Sequence, residues 1–153
     1  MRISELINEK FIVPELKAKT KKGVLKELVN NLASSENKVN PEELLRVLLE
    51  REKLGSTGIG EGIAIPHGKL KNIDKLILSF GKSIEGVDFE SMDGKPVHLF
   101  FLLVAPENSA GTHLKALARI SRLLKDPKFR QRLMDASAPE DIYKTIVQED
   151  EKY

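Results

Sequence analysis

His67 is the residue of this chain best suited to chemistry. It stands between Pro66 and Gly68, directly after the short apolar run of residues 63–65. Proline fixes its own φ and restricts the preceding residue to extended backbone. The histidine is therefore predicted to project from a stiff support at the end of a short strand, and Gly68 is predicted to leave room beside its ring.

The segment just upstream of this histidine is rich in glycine. Residues 55–62 read GSTGIGEG, with four glycines in eight positions. Such glycines allow backbone N–H groups to converge on an anion, and neighbouring hydroxyls add donors. It is not a P-loop, because no Lys-Ser or Lys-Thr follows the glycines at the required spacing. The residues predicted to bind phosphate are Ser56, Thr57, Gly58 and Gly60.

A rigid histidine beside anion donors is suited to phosphoryl transfer onto a ring nitrogen. A neutral imidazole offers a lone pair near pH 7, and the protein mainly has to position the group and neutralise its charge. No magnesium or nucleotide motif is recognisable in the chain, so no cofactor is expected. A metal site formed by His67 and His113 is disfavoured, because there is no HExxH and no carboxylate at a matching spacing.

Three further residues have both a structural and a functional interpretation. His98 lies in an apolar run and is interpreted as a strand histidine with a satisfied hydrogen bond. His113 is predicted at a helix start, where a dianion is favoured, with a surface histidine as the alternative. Arg51 is predicted in the last turn of a helix, where it either contacts phosphate or forms a surface ion pair.

Two segments carry a resemblance to a known family. Arg51 to Leu70, REKLGSTGIGEGIAIPHGKL, closely resembles the active-site signature of enzyme IIA of the fructose/mannitol type, a family of the bacterial phosphoenolpyruvate-dependent phosphotransferase system. PVHLFFLLVAPENSAGTHLKALARISRLLKD is similar to the family's later strand and helix. The resemblance implies that His67 is phosphorylated at Nε2, that Arg51 is the phosphate partner and that His113 is the second active-site histidine.

The resemblance also implies partners. Phosphate is expected to arrive from the phosphocarrier protein HPr or its nitrogen-branch relative, and in sugar-transporting members it leaves for an enzyme IIB domain. The signature is most similar to the nitrogen-regulatory IIA group, with fructose-type enzymes second. The alternative is a binding module, switched by phosphorylation, that controls regulatory target proteins without passing phosphate to a sugar permease.

Composition excludes several other classes of protein. The 153 residues, 41% of them hydrophobic, suit one domain over residues 1–153. The 25 Lys and Arg nearly balance the 23 Asp and Glu, which argues against a nucleic-acid partner. The absence of cysteine excludes thiol chemistry and iron–sulfur clusters. No signal peptide or apolar run of about 18 residues is visible, so a cytoplasmic protein without membrane insertion is expected.

The elements that must position these residues follow from periodicity and caps. Two helices, then strands, then helices indicate an α/β (α+β) fold, a mixed sheet with helices on both faces. The run at 97–105 is almost continuously apolar and is predicted to be a central strand. Before the central strand we expect a helix over 24–33 capped by Thr20, a helix from Asn40-Pro41 to Gly55, and a strand at 76–82. After it we expect helices that start at Thr112, at Asp126-Pro127 and at Ser137. The residues of the Thr112 helix predicted to face inward are Leu114, Leu117, Ala118 and Leu124.

Overall fold

The helices begin where the sequence supplies caps and prolines. In the computed structural model, which describes residues 1–153, Thr20 Oγ1 accepts a hydrogen bond from the Gly23 amide at 3.1 Å and Asn40 Oδ1 from the Glu43 amide at 3.0 Å. Each such cap contributes about 1 kcal/mol. The helices are α1 (Lys21–Ser35), α2 (Pro41–Lys53), α3 (Ala110–Leu123), α4 (Pro127–Asp135) and α5 (Pro139–Asp150), and short 3-10 turns cover Ile3–Glu5 and Glu9–Phe11.

Two helix starts differ from the prediction. The N-cap of α3 is Ser109, so Thr112 lies inside the helix, and the N-cap of α5 is Ala138 rather than Ser137. The predicted inward face of α3 is also partly wrong: Leu114 is 66% exposed and Ala118 is exposed as well, whereas Leu124 is buried as predicted. The physical reason is that His113 takes an inward position that the apolar pattern did not count. The buried residues of α3 are His113, Ala116, Ile120 and Leu123.

Six strands form one mixed sheet. They are β1 (Ile12–Val13), β2 (Gly58–Gly60), β3 (Ile63–Ala64), β4 (His67–Leu70), β5 (Ile77–Val87) and β6 (Val97–Pro106). The order is β1-β5-β6-β3-β2, with β4 paired to β6. As predicted, the apolar run forms the central strand, since β6 pairs antiparallel with β5 and parallel with β3 and β4.

The glycine-rich segment forms a hairpin rather than an open loop. β2 pairs antiparallel with β3, and the connecting residues Glu61 and Gly62 have φ of 57° and 77°. Two consecutive residues with positive φ are what a tight two-residue hairpin turn requires. The Glu61 side chain is 77% exposed and points outward.

Alternate residues of the central strand face two separate helical layers. Leu99, Phe101 and Leu103 pack with α3, α4 and α5. Phe100 and Leu102 pack with α1 and α2 on the other face. The period of two follows from strand geometry, and the result is the predicted single-domain α/β fold. The longest helix, α1, has 15 residues, and no helix combines the length and the apolar character of a membrane span.

Candidate functional site

His67 lies at the start of an edge strand. It is the first residue of β4 and pairs with Leu103 of β6, so it follows a break in the sheet instead of ending β3 as expected. β3 and β4 run one after the other along β6, separated by Ile65 and Pro66. The Pro66 carbonyl accepts a hydrogen bond from the Leu103 amide at 2.9 Å, which ties this break to the central strand.

The imidazole of His67 has one nitrogen committed and one available. Its Nδ1 lies 2.8 Å from the backbone oxygen of Ile65. A carbonyl oxygen can only accept a hydrogen bond, so Nδ1 carries the proton and Nε2 keeps its lone pair. The side chain is half-buried. Nε2 is therefore the ring nitrogen that has a lone pair free.

The two faces of β4 point to different helices. A Cβ placed on Gly68 would lie 2.7 Å from Val47 Cγ1, so Gly68 faces α2. The room left by this glycine is taken by α2, not by the imidazole. Since side chains alternate along a strand, His67 faces the α3 side of the sheet. There its ring meets His113, with centroids 5.4 Å apart and planes at 86°.

His113 is the second imidazole of the site. It is 7% exposed, and its Nδ1 is buried without a hydrogen-bond partner. Burial, and then the charges of His67 and Lys69, lower the pKa of His113 below its ordinary value. The ring is therefore neutral near pH 7. It lies in the first turn of α3, where free backbone N–H groups and the helix dipole favour an anion.

Arg51 approaches from the opposite layer. It lies in the last turn of α2, as predicted, and its Nη1 donates to the Gly55 carbonyl at 2.8 Å. The same helix packs on β4 through Val47 and Leu48, which face Gly68. The segment that follows Arg51 reaches the residues just before β4, since the Thr57 carbonyl accepts from the Ile65 amide at 3.0 Å.

The four residues predicted to bind phosphate do not converge on one point, and several of their polar groups are bonded within the protein. Ser56 Oγ donates to the Phe89 carbonyl at 2.9 Å and accepts from the Gly58 amide at 3.0 Å. The Thr57 amide donates to Glu52. Gly60 pairs with Ile63, four residues along β6 from the level of His67, which corresponds to about 13 Å at the rise of a strand.

Sequence reasoning missed Glu52. This carboxylate is 9% exposed in the last turn of α2, where it accepts hydrogen bonds from Thr57 and pairs with Lys21 Nζ at 2.8 Å. The sequence does contain one indication that Glu52 is unusual. An acidic residue at a helix C-terminus opposes the dipole, so its presence beside Arg51 requires a specific partner.

His98 has the structural role that was predicted for it. Its Nδ1 lies 2.9 Å from the Ser83 carbonyl, on the strand next to its own. This hydrogen bond confirms the interpretation as a strand histidine with a satisfied partner. The structure brings together His67 and His113 and leaves His98 apart from them.

Comparison with known proteins identifies the family of this chain. The family described as "Phosphoenolpyruvate-dependent sugar phosphotransferase system, EIIA 2" matches residues 5–149. A nitrogen regulatory protein of Bradyrhizobium diazoefficiens is 44% identical over 95% of each chain. The fructose-specific EIIABC component of the phosphotransferase system of Bacillus subtilis is 40% identical over 98% of this chain, which corresponds to 24% of the Bacillus protein.

Solved structures agree with the sequence comparison. The nitrogen regulatory protein IIA-Ntr from Neisseria meningitidis is 34% identical, with a TM-score of 0.86 over 94% of this chain and 98% of that one. The mannitol IIA of Escherichia coli is 26% identical, with a TM-score of 0.77 over 91% and 97% of the two chains. With the family match over nearly its whole length, this chain belongs to the EIIA 2 family of the phosphoenolpyruvate-dependent sugar phosphotransferase system.

Proposed function

We propose that this chain carries out the phosphoryl transfer of its family through His67, which accepts the group on Nε2 from an HPr-type phosphocarrier. The observation that carries the proposal is the bond from Nδ1 to the Ile65 carbonyl. This bond fixes the tautomer and leaves one lone pair, at Nε2, on a half-buried ring beside a second imidazole. A nucleophile with a single orientation is what in-line transfer requires.

The transfer exchanges one phosphorus–nitrogen bond for another. The bond from phosphorus to the donor nitrogen breaks as the bond to Nε2 of His67 forms, and the released electron pair returns to the donor ring. The proton on Nδ1 stays in place because the Ile65 carbonyl holds it. Nothing has to be oxidised or reduced, and the protein supplies position and charge.

Arg51 and His113 are proposed to stabilise the phosphoryl group. The guanidinium spends one donor on Gly55 and keeps the others for phosphate oxygens, for which its planar fork is well matched. The neutral ring of His113 lies on the other side, beside the N-terminus of α3. Direct phosphate contacts from Ser56, Thr57, Gly58 and Gly60 stay a prediction. The Thr57 and Gly58 amides would have to exchange their present acceptors to make them.

A relative supports a proposal for the next acceptor of the phosphoryl group. A solved complex of Escherichia coli mannitol IIA with phosphorylated mannitol IIB has a TM-score of 0.77 to this chain at 26% identity. We propose an enzyme IIB domain as the acceptor if the chain serves sugar uptake, and a cytoplasmic location in either branch. Transfer from the phosphorylated chain to a fructose-type IIB domain distinguishes the sugar-transport branch from the nitrogen-regulatory branch.

The first test is phosphorylation by the purified upstream proteins. Incubation with labelled phosphoenolpyruvate, enzyme I and HPr is expected to add one phosphoryl group that is labile in acid and stable in base. His67→Ala is expected to abolish labelling, and His98→Gln is expected to retain it because His98 lies outside the site. Labelling that persists in His67→Ala contradicts the proposal.

The second test concerns Arg51. Arg51→Ala is expected to slow phosphoryl transfer roughly 10- to 150-fold, the range set by the ~1.5–3 kcal/mol of a hydrogen bond to a charged group. The control is Arg46→Ala, an exposed arginine of the same helix that pairs with Glu50. Circular dichroism checks that both variants are folded. Equal transfer rates in the two variants would remove Arg51 from the site.

A further inference from the structure

We propose that Glu52 is a positioning residue that holds both the imidazole of His67 and the guanidinium of Arg51 in place for transfer. The inference rests on the proposed function of His67 and adds a residue with no role in it so far. Glu52 lies too deep to meet phosphate, since it is 9% exposed and its oxygens are engaged by Thr57 and Lys21. It acts through the backbone that connects it to the two reacting side chains.

The burial of Glu52 is unfavourable unless its bonds offset it. A carboxylate at the C-terminus of a helix is repelled by the dipole, and burial removes its hydration. Both oxygens lie 3.2 Å from the Thr57 amide nitrogen, the Thr57 hydroxyl donates to Oε2, and Lys21 Nζ lies 2.8 Å from Oε1. These contacts fix the turn over residues 52–57.

A short chain of hydrogen bonds leads from this carboxylate to the imidazole. Thr57 is held by Glu52 through its amide and hydroxyl, and its carbonyl accepts from the Ile65 amide at 3.0 Å. The Ile65 carbonyl in turn accepts from His67 Nδ1 at 2.8 Å. Glu52 is thus three links from the atom whose proton determines that Nε2 is the nucleophile. Displacement of Thr57 would shift Ile65 and weaken the hydrogen bond that keeps the proton on His67 Nδ1.

A second branch leads from the same carboxylate to the arginine. The turn that Glu52 closes contains Gly55, whose carbonyl accepts from Arg51 Nη1 at 2.8 Å. Gly55 has a φ of 140°, a conformation that residues with a side chain rarely adopt. The position of the Gly55 carbonyl therefore depends on the hydrogen bonds between Glu52 and Thr57 that fix this turn. One carboxylate orients groups that approach the phosphoryl site from two layers.

Lys21 completes the arrangement. Its side chain is 17% exposed, lies over the Phe89 ring with Nζ 4.8 Å from the centroid, and forms the ion pair with Glu52. A second carboxylate, Glu90, is 3.7 Å away but 77% exposed. The Lys21–Glu52 pair therefore connects the start of α1 to the site without touching phosphate.

The experiment compares Glu52→Ala and Glu52→Gln with the control Glu50→Gln, an exposed glutamate of the same helix. Glu52→Ala is expected to lower the phosphoryl-transfer rate constant by about tenfold or more, within the range for a reacting group misplaced by about 1 Å, with the KM for phosphorylated HPr within twofold of wild type. Glu52→Gln can still accept from Thr57 and is expected to recover part of the rate. The control is expected to match the wild type.

The decisive readout is the tautomer of His67. In the wild type, ¹⁵N NMR of the imidazole is expected to show one protonated Nδ1. In Glu52→Ala a mixture of tautomers is expected, which a role in stability alone would not produce. Lys21→Met provides a second variant with the same direction of change, should Glu52→Ala not fold.

The possible outcomes separate the role of Glu52 from the proposed function of His67. Wild-type rates together with an unchanged tautomer in Glu52→Ala, or in Lys21→Met should Glu52→Ala not fold, overturn the role of Glu52 and leave the proposed function of His67 intact. Labelling that survives in His67→Ala overturns the proposed function itself. A slowed, tautomer-mixed but still His67-dependent reaction supports both.

Discussion

At the scale of single residues, the pH-dependent group of the site is His113, whose ring lies 5.4 Å from that of His67. His113 is buried and has an unpartnered Nδ1, so its charged form is unfavourable in the folded protein. Its pKa is lowered first by burial and then by the charges of His67 and Lys69. Under the proposed function, the neutral ring of His113 contributes a hydrogen bond to the phosphoryl group, and the positive charge comes from Arg51 and the N-terminus of α3.

The lowered pKa of His113 predicts a pH dependence of stability. The unfolded chain takes up a proton near the ordinary pKa of 6.5, whereas the folded protein resists it. The free energy of unfolding is therefore at its full value above pH 6.5 and falls as the pH decreases towards the folded pKa. Urea denaturation at several pH values is expected to show a shallower fall for His113→Gln than for the wild type. Leu114→Gln, at an exposed neighbour, is the control; an identical pH dependence in all three proteins contradicts the assignment.

The sequence predicted some of these residues better than others. Pro66 and Gly68 mark His67 as unusual, because they restrict the backbone on either side of it. The pairing of His113 with His67 followed only from the family resemblance, since the 45 residues between them contain no information on their distance. Glu52 was missed because a glutamate in a charged helix is usually on the solvent face.

At the scale of elements, the contact between α2 and β4 is the critical one. Gly68 allows the helix to approach so closely that a Cβ there would lie 2.7 Å from Val47 Cγ1. Valine has essentially one rotamer in a helix and cannot turn away. Gly68, which has no side chain, therefore determines how closely α2 packs on the sheet. The location of Arg51 depends on the same contact.

Gly68→Ala tests this contact. The added methyl group is expected to push α2 from β4 and lower the free energy of unfolding by about 1–3 kcal/mol, and to slow phosphoryl transfer through Arg51. Val47→Ala is expected to restore the space, so the double variant should be more stable than the sum of the two single changes predicts. Urea denaturation of the four proteins gives the coupling free energy. Strict additivity would show that the two side chains do not compete for the same space.

The elements themselves were largely predictable from caps and apolar periodicity. Most helices and the central strand appear where expected, because local signals and burial agree there. The hairpin at the glycine-rich segment was not predicted. Its turn consists of Glu61 and Gly62 and lacks the Asn-Gly or Asp-Gly pair that usually marks such turns. Glu61 has a positive φ, a conformation uncommon for glutamate, so the residue type did not predict the turn.

At the scale of the whole molecule, a buried carboxylate joins the two ends of the chain. Asp150 accepts from the Ile3 amide at 2.7 Å and from Arg119 Nε at 2.6 Å. Its side chain is 3% exposed, and Arg119 belongs to α3, the helix that carries His113. A prediction from sequence treats the last residues of a helix as solvated, so this contact between distant segments was not foreseen.

Asp150→Ala is expected to destabilise the protein by about 3 kcal/mol. This is the low end of the range for breaking a buried ion pair, since Arg119 retains some contact with solvent. Glu151→Ala, at the exposed neighbour, is expected to leave the midpoint of urea denaturation nearly unchanged. A similar midpoint for both variants would show that the terminal contact contributes little.

The hydrogen bond from His67 Nδ1 to Ile65 has a consequence for kinetics. With one lone pair available, loading and unloading of the phosphoryl group use the same atom and the same direction of approach. Under the proposed function, the upstream and downstream proteins cannot occupy the carrier together, so each is a competitive inhibitor of the other. Turnover then alternates between two half-reactions, and an excess of either unphosphorylated partner slows the flux.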